Sequence, residues 1–251
     1  MPFTVSHVAA VLPMVGRSDR LPAAALVIGS MTPDYPWFLT GGRSSGLSHS
    51  PFGIVTVDLA VGLLAVVAWR LLVQAPLRDL VPRSLGERLP RSPGVVGADL
   101  PWLALGVVVG SVTHVVWDSF THAGRWGVDR VPWLHTEHLG LPGYTWAQFA
   151  SGAIGLVVLA VWGVRRLAGT APDPQGLRST LEDRRVAWAL LVAGALTGAV
   201  VALLALPGSP ERTLVRVVTL GGTAAACALV LACALWWART LRPDRVRGGR
   251  G

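Results

Sequence analysis

Five long apolar segments constrain the fold of this chain more than any other feature of its sequence. They cover residues 52–73, 102–120, 144–162, 186–206 and 217–237. Because about 20 apolar residues cross a bilayer as a helix, each segment is long enough to span a membrane. Only 14% of the 251 residues are charged, whereas soluble domains average about 25%. The sequence therefore predicts an all-α, polytopic membrane helix bundle.

The chain before residue 52 is less regular. Its apolar stretches at 8–15 and 23–39 are short, and Pro33 and Pro36 interrupt the second. Proline removes a backbone donor and restrains the residue before it, so this stretch should break, re-enter the membrane, or form a sixth, imperfect span over 23–38. We treat the chain as one integral membrane domain with a motif-bearing segment 1–51, spanning helices 52–237 and an arginine-rich tail 238–251.

Arginines predict the orientation of the spans. They cluster in the loops 70–91 and 165–185 and in the tail, and two spans separate each cluster from the next. The positive-inside rule places these regions, including the C-terminus, in the cytoplasm of a cell with the chain in its inner (plasma) membrane. The loops 121–143 and 207–216 are then outside. No cleavable signal peptide is expected, because the N-terminus lacks a basic start followed by an apolar core.

The net charge of +8 does not indicate nucleic-acid binding, since the arginines lie in loops between spans, where they reflect topology and lipid contact. Cys227 and Cys233 are six residues apart in one apolar segment, so on a helix they point to different faces and are not expected to form a disulfide. The expected partner is membrane lipid or a lipid-linked substrate, and the sequence makes no prediction of oligomeric state.

Three ionisable side chains interrupt the second long segment on one helical face. His114, Asp118 and His122 are four residues apart and therefore share a face. Ionisable groups within a membrane span are costly and usually mark function. Imidazole and carboxylate together are typical ligands of zinc and related divalent ions. The stripe therefore predicts a metal site near the outer membrane surface.

Further polar residues converge on the same depth. His49 immediately precedes the first long span, and Asp34 reaches the same boundary if 23–38 crosses the membrane. His7 joins them only if the N-terminal segment folds back. These four histidines and two aspartates are enough for one or two metal ions with a bridging water. Aromatic side chains could line the entrance to such a site, namely Tyr35, Trp37 and Trp126.

Each of these residues has a plainer interpretation. His114 and Asp118 could bond helices together, and His122 could cap its helix. Asp34 could be a turn residue, and His49 could belong to a helix N-cap. Asp58, inside the first span, could support the site or pair with an arginine. His135 and His138 have ligand spacing but no periodic context, so they are weaker candidates.

Four stretches together resemble the bacterial membrane protein family DUF4184, a domain of unknown function. They are MPFTVSHVAAVLP at 1–13, GSMTPD at 29–34, SHS at 48–50 and THVVWDSFTH at 113–122. That family is distantly similar to YdjM-like inner-membrane proteins, which are labelled metal-dependent hydrolases. The ligand order also resembles that of zinc-dependent phospholipase C and the related single-strand nuclease, whose metals are held by a His, an Asp, a His, a helical His-x-x-x-Asp and a further His.

The resemblance implies a set of metal ligands in this chain, namely His7, Asp34, His49, His114, Asp118 and His122. The secreted enzymes also use their N-terminal amine and a later His-x-x-x-Glu, which have no clear counterpart here. One or two divalent ions, with zinc preferred, are therefore expected rather than three.

The functional hypothesis is a membrane-bound, metal-dependent hydrolase of a phosphoester in a lipid or lipid-linked substrate. A metal-activated water would be the nucleophile, and Asp34 or Asp118 could instead act as a general base. The alternative is a non-enzymatic metal or proton carrier, or a scaffold whose polar residues bond helices. A membrane protease would share the metal, but the sequence lacks His-Glu-x-x-His.

Overall fold

The protein is represented by a computed structural model that describes residues 4–17, 20–40, 45–204 and 210–241. Nearly all regular structure in these residues is helical, which confirms the predicted all-α class. The end of the predicted tail beyond residue 241, residues 1–3 of the N-terminal motif and the start of the predicted 207–216 loop lie outside the described residues.

Twelve helices and one pair of short strands follow one another along the described chain. They are α1 (Val8–Val11), α2 (Ala23–Gly29), α3 (Tyr35–Thr40), α4 (Ser45–Ser48), α5 (Pro51–Leu80), α6 (Arg83–Gly86), α7 (Leu100–Thr121), α8 (Trp126–Arg130), α9 (Pro132–His135), β1 (Glu137–His138), β2 (Leu141–Pro142), α10 (Gly143–Ala168), α11 (Leu181–Leu204) and α12 (Pro210–Thr240). Single 3-10 turns cover Thr4–His7, Leu12–Met14, Thr32–Asp34 and Gly97–Asp99.

Five of these helices are long and apolar enough to cross a membrane. The spanning stretches are Pro51–Leu80, Gly97–Thr121, Gly143–Ala168, Leu181–Leu204 and Thr219–Thr240. They confirm the five predicted spans and fit a multi-pass membrane protein. The predicted 207–216 loop is wrong in its described part, because α12 already begins at Pro210. A proline is well tolerated at the first helical position, where its missing N–H has no helical partner to lose.

The N-terminal region is broken into short pieces, as the prolines predict. The helix α2 has only seven residues, and a 3-10 turn at Thr32–Asp34 separates it from α3. Among the described residues, no sixth helix is long enough to cross a membrane. The interrupted form of this segment is therefore the one the chain adopts.

The first spanning helix, α5, has a defined start and two wider turns. The side chain of Ser50 accepts a hydrogen bond from the backbone N–H of Gly53 at 3.0 Å, which satisfies a donor at the helix start. Residues Ile54–Asp58 and Trp69–Val73 then wind as π-helix. Such turns admit one extra residue and are frequent near functional sites.

Contacts group the described residues into two compact units. The first lies within Phe3–Val67 and Val95–Arg166, and the second within Ala68–Gly94 and Leu167–Gly251. The prediction of one domain with three parts stays a prediction. All six predicted ligands lie in the first unit.

In the first unit, α2 packs directly on α7, because two glycines remove the side chains that would separate the backbones. A Cβ at Gly110 would lie 2.5 Å from the carbonyl oxygen of Leu26, and a Cβ at Gly29 would collide with the backbone of Val107. A small apolar core lies beside this contact, formed by Val8, Val11, Leu12 and Leu26. The close approach brings the end of α2 against the histidine-bearing part of α7.

In the second unit, the buried carboxylate of Asp79 organises the chain around it. It accepts hydrogen bonds from the backbone N–H groups of Arg178 and Ser179, and from the side chains of Ser179 and Trp236. The start of α11 is capped reciprocally: Thr180 N–H donates to Asp183 at 2.9 Å, and Asp183 N–H donates to the Thr180 hydroxyl at 3.1 Å. Both cysteines are free, as predicted.

Candidate metal centre

Four buried side chains from three parts of the first unit meet at one point. They are Asp34 from the 3-10 turn, His49 from the residues just before α5, and His114 and Asp118 from α7. One ligand-type atom from each lies within 4.8 Å of all the others. All four side chains are buried, and His114 is completely so. This cluster is called the four-residue group below.

The spacing of these atoms matches the space around a small divalent ion. His114 Nε2 lies 3.5 Å from Asp34 Oδ1 and 3.4 Å from Asp118 Oδ2. His49 Nε2 lies 3.6 Å and 3.2 Å from the same two oxygens. Ligand atoms bound tetrahedrally to zinc stand roughly 3.3–3.6 Å apart, given bonds of about 2.0–2.2 Å. The four measured His–Asp distances are therefore of the length found between ligand atoms around a small bound cation, and all six pairwise distances lie within 4.8 Å.

Unsatisfied polar atoms in the group point to the same conclusion. Asp34 Oδ1, His114 Nε2 and Asp118 Oδ2 are buried and have no hydrogen-bond partner among the described residues. Buried polar atoms of folded proteins nearly always have a partner, which can be a protein group, a water or an ion. A bound cation would satisfy all three atoms together.

Hydrogen bonds on the far side of each histidine fix its tautomer. His114 Nδ1 lies 2.8 Å from the carbonyl oxygen of Ser30 and donates to it. The Ser48 hydroxyl donates to the Pro33 carbonyl at 2.8 Å, so its oxygen can accept from His49 Nδ1 at 3.2 Å. Each ring, when neutral, then presents a lone pair at Nε2, and when protonated it presents an Nε2–H to the facing carboxylates. This is the arrangement that orients metal-binding histidines in known sites.

Neighbouring groups keep the Asp34 carboxyl group ionised and fix its orientation. The Thr4 hydroxyl donates to Asp34 Oδ2 at 2.5 Å, which leaves Oδ1 facing the histidines. Burial opposes ionisation, but the facing imidazoles of His114 and His49 hold the pKa of Asp34 below its usual range. Burial likewise disfavours a charged His49, but the carboxylates of Asp118 and Asp34 raise its pKa.

The second oxygen of Asp118 faces two more of the predicted ligands. His7 Nε2 lies 3.5 Å and His122 Nδ1 lies 3.3 Å from Asp118 Oδ1. The His7 ring also stacks on His114 with 3.9 Å between ring centres. Burial lowers the pKa of His7 to about 4, and His114 acts in the same direction. His7 is therefore neutral near pH 7, which is the form a metal ligand requires.

His122 has a further partner on α10. The side-chain nitrogen of Gln148 lies 2.8 Å from His122 Nε2. With this amide orientation Gln148 donates, so His122 carries its proton on Nδ1 and donates toward Asp118. Rotating the amide by 180° would reverse both roles and make Nδ1 an acceptor, since amide N and O are interchangeable in shape.

A narrow cleft leads to Asp118 from the protein surface. Its space of about 10 Å³ is close to what one water molecule needs. It is lined by Ser6, His7, Trp117, Asp118, Thr121, His122, Gln148, Ser151 and Gly152. The predicted entrance residues Tyr35, Trp37 and Trp126 are not among them, and Trp117 supplies the aromatic wall instead.

The structure thus brings the six predicted ligands together, and their role as ligands stays a prediction. His7 folds back onto α7, as its inclusion requires. His138 instead stacks on Trp133, and neither it nor His135 belongs to the four-residue group. Asp58 is fully buried, and neither of its oxygens has a hydrogen-bond partner among the described residues, so no arginine pairs with it there.

Several supporting residues were not predicted from the sequence, namely Thr4, Ser30, Ser48 and Gln148. Ser48 could have been suspected from its place beside His49. The other three have no local signal, because they contact residues between 26 and 84 positions away.

The fold and the cluster define the class: a multi-pass α-helical membrane protein with a buried group of side chains that could hold a metal ion. The chain belongs to the family described as a domain of unknown function, DUF4184, whose family model matches residues 1–234. No curated protein and no solved structure matches it.

Proposed function

We propose that this protein is a membrane-bound, metal-dependent hydrolase that cleaves a phosphoester in a lipid or lipid-linked substrate. The observation that carries the proposal is the convergence of four buried ligand-type atoms within 4.8 Å of one another. Two carboxylates buried this close together repel each other and lose their hydration. A divalent cation between them would offset both costs.

The proposed first ion is zinc, held by Asp34, His49, His114 and Asp118. Two imidazoles and two carboxylates, with no cysteine, suit zinc better than calcium or magnesium. His7 and His122 would hold a second ion together with Asp118, because both rings face Asp118 Oδ1, at 3.5 Å and 3.3 Å. The other oxygen of Asp118 faces His114 at 3.4 Å, so this carboxylate would contribute to both sites.

Zinc at such a site lowers the pKa of a bound water to about 7 and polarises a phosphoryl oxygen. The chain would supply the remaining functions. With only the first ion bound, Asp118 is the best-placed proton acceptor, because it keeps one oxygen free and lines the cleft through which water enters. Asp34 is the second candidate, although the Thr4 hydroxyl already occupies its other oxygen. Gln148 and Thr121 hold His122 at the mouth of the cleft.

The substrate class follows from where the cleft opens. It lies between the last turns of α7 and the first turns of α10, which are ends of two spanning helices. The ends of such helices lie at the level of the lipid headgroups, where phosphoesters of membrane lipids are found. By the arginine-based orientation, this is the outer face of the inner membrane, with the C-terminus in the cytoplasm.

A scaffold or carrier explains the cluster less well. Polar residues that only bond helices together should pair their buried atoms with each other. Here His114 Nε2 and Asp118 Oδ2 stay 3.4 Å apart without a hydrogen bond. The likeness of the ligand order to zinc-dependent phospholipase C also supports an enzyme.

The test combines metal analysis with a lipid panel. Protein purified in detergent should contain zinc, and His114→Ala should lose it. His135→Ala is the matched control, since this histidine lies outside the four-residue group. Wild-type protein in mixed micelles should then release phosphate or headgroup from a member of a phospholipid and lipid-linked phosphate panel, and His114→Ala should not.

Two results would contradict the proposal in different ways. If wild-type protein purified in zinc-supplemented buffer contained no zinc, the proposed metal centre would be ruled out. Zinc present but no turnover of the panel, together with zinc uptake into proteoliposomes, would favour the carrier.

A further inference from the structure

The loop between α7 and α10 carries a small hairpin with an unusual tip. Strands β1 and β2 pair Glu137 with Pro142 and His138 with Leu141. The two residues between them have left-handed backbones, with φ of 53° at Leu139 and 81° at Gly140. This is a two-residue hairpin turn in which Asn-Gly or Asp-Gly is strongly preferred. A bulky residue such as leucine is rare in this conformation.

Packing of the Leu139 side chain against the described chain does not offset this backbone strain. It is 94% exposed, the highest value among the exposed large apolar residues. Strain held at one position together with an exposed apolar side chain points to a binding role for that side chain.

The hairpin beneath this tip is firmly built. The His138 ring stacks on Trp133 with 4.6 Å between ring centres, and His138 Nε2 lies 2.9 Å from both Thr136 Oγ1 and the Trp133 carbonyl oxygen. Trp146 Nε1 donates to the His138 carbonyl at 2.7 Å. Leu139 therefore projects from a braced support rather than from a loose loop.

The position of the hairpin identifies what covers Leu139. The hairpin ends at Pro142, and the spanning helix α10 begins at Gly143. The start of a spanning helix lies at the boundary between headgroups and acyl chains. Tryptophans are enriched at this level, and exposed Trp126 and Trp133 lie in the same loop.

We propose that this hairpin is a membrane-interface anchor, whose Leu139 side chain inserts into the lipid leaflet at this end of the helix bundle. The occupant is the phospholipid bilayer itself. Trp146 ties the anchor to α10, and Gln148, two residues further on, contacts His122. The anchor and the mouth of the cleft are thus tied to neighbouring residues at the start of the same helix. Insertion does not require that the protein be an enzyme.

The test measures the depth of a label at residue 139. In a background with Cys227→Ala and Cys233→Ala, Leu139→Cys carries a nitroxide, and the protein is reconstituted into phosphatidylglycerol–phosphatidylethanolamine vesicles. Power-saturation measurements compare collisions with oxygen, which partitions into lipid, and with a water-soluble nickel chelate. The control is Asp129→Cys, an exposed position of the same loop.

The oxygen-to-nickel collision ratio should be higher at residue 139 than at residue 129. Equal ratios at the two positions, with full nickel access at residue 139, would overturn the proposal and leave a protein partner as the occupant. A second variant tests whether Leu139 serves the fold instead. Leu139→Asn should keep or raise the melting temperature in detergent, because asparagine tolerates the left-handed backbone. A lower melting temperature would show that Leu139 packs within the protein, which also contradicts the anchor.

Discussion

Asp118 Oδ2 lies 3.4 Å from His114 Nε2, one turn away on the same helix, while Asp118 Oδ1 lies 3.3 Å from His122 Nδ1, one turn further on. A single carboxylate therefore separates two groups of histidines. Because residues four apart on a helix face the same side, His114 and Asp118 meet wherever α7 is regular, whereas His122 is the extended residue that follows the end of α7. The His-x-x-x-Asp pair is thus the part of the centre that needs no tertiary contact to form, and His122 is held in addition by Gln148 of α10.

Zinc should stabilise the folded protein. An ion that binds only the folded state at a free concentration 100 times its Kd contributes about 2.7 kcal/mol. For a chain of this size we expect a rise in melting temperature of roughly 5–10 °C, measured by differential scanning fluorimetry in detergent before and after chelation. His114→Ala should show no zinc-dependent shift. A shift of equal size in that variant would place the stabilising ion elsewhere.

Removing the His7 side chain should abolish binding of the second proposed ion and leave the first one bound. His7→Ala leaves the four-residue group intact, so we expect the zinc content to fall from two ions to one rather than to zero. His122→Ala should behave in the same way if His122 is a ligand. Inductively coupled plasma mass spectrometry on gel-filtered protein gives the stoichiometry. One ion in the wild type and in both variants would instead make His7 and His122 hydrogen-bond partners of Asp118.

The sequence predicts the helical part of this centre well and the remainder poorly. Apolar segment lengths locate the five spans, and four-residue spacing locates His114, Asp118 and His122 on one face. His49 follows from the depth at which the first span begins, whereas the premise used for Asp34, a crossing over residues 23–38, was wrong, because no described helix there is long enough to span a membrane. The inclusion of His7 depended on family resemblance, because nothing local to a short 3-10 turn predicts that it folds back.

The contacts that orient each ligand side chain could not be predicted from the sequence, for a physical reason. The Ser30 carbonyl reaches His114 because α2 and α7 touch backbone to backbone, and that contact joins residues 84 positions apart. Apolar periodicity states which face of a helix is buried, but not which backbone atom will lie opposite a given ring. The start of α12 was misplaced for another reason: a proline and charged residues resemble a loop, although they are also acceptable in a first helical turn.

The glycine contact between α2 and α7 should be essential for the centre. Gly110→Ala places a Cβ 2.5 Å from the Leu26 carbonyl oxygen, and overpacking of this kind costs about 1–3 kcal/mol. We expect a lower melting temperature and weaker zinc binding, because Ser30 moves away from His114. The matched control is Gly163→Ala on α10, where a Cβ meets nothing within 4 Å. Similar losses in both variants would contradict the proposed role of the close contact.

Asp79 should be the most sensitive carboxylate of the second unit. In Asp79→Asn an amide nitrogen replaces one of the oxygens that receive the Ser179 and Trp236 donors. Breaking a buried charged network costs roughly 3–5 kcal/mol. The denaturant concentration at the midpoint of unfolding should therefore fall strongly. Asp173→Asn, which weakens the pairs of an exposed carboxylate with Arg91 and Arg78, should shift the unfolding midpoint much less. Equal effects would mean that the buried network contributes no more than a surface pair.

The π-helical turn at Ile54–Asp58 has a consequence for how this span can change during evolution. Elsewhere between Pro51 and Gly62, loss of one residue would rotate His49 by about 100° relative to Gly62, which packs against Val107 of α7. Within the π-helical turn the same loss can be absorbed, because the wide turn closes to an ordinary α-helical one. One-residue length differences among related chains should therefore concentrate between residues 54 and 58, where they leave both ends of the span in register.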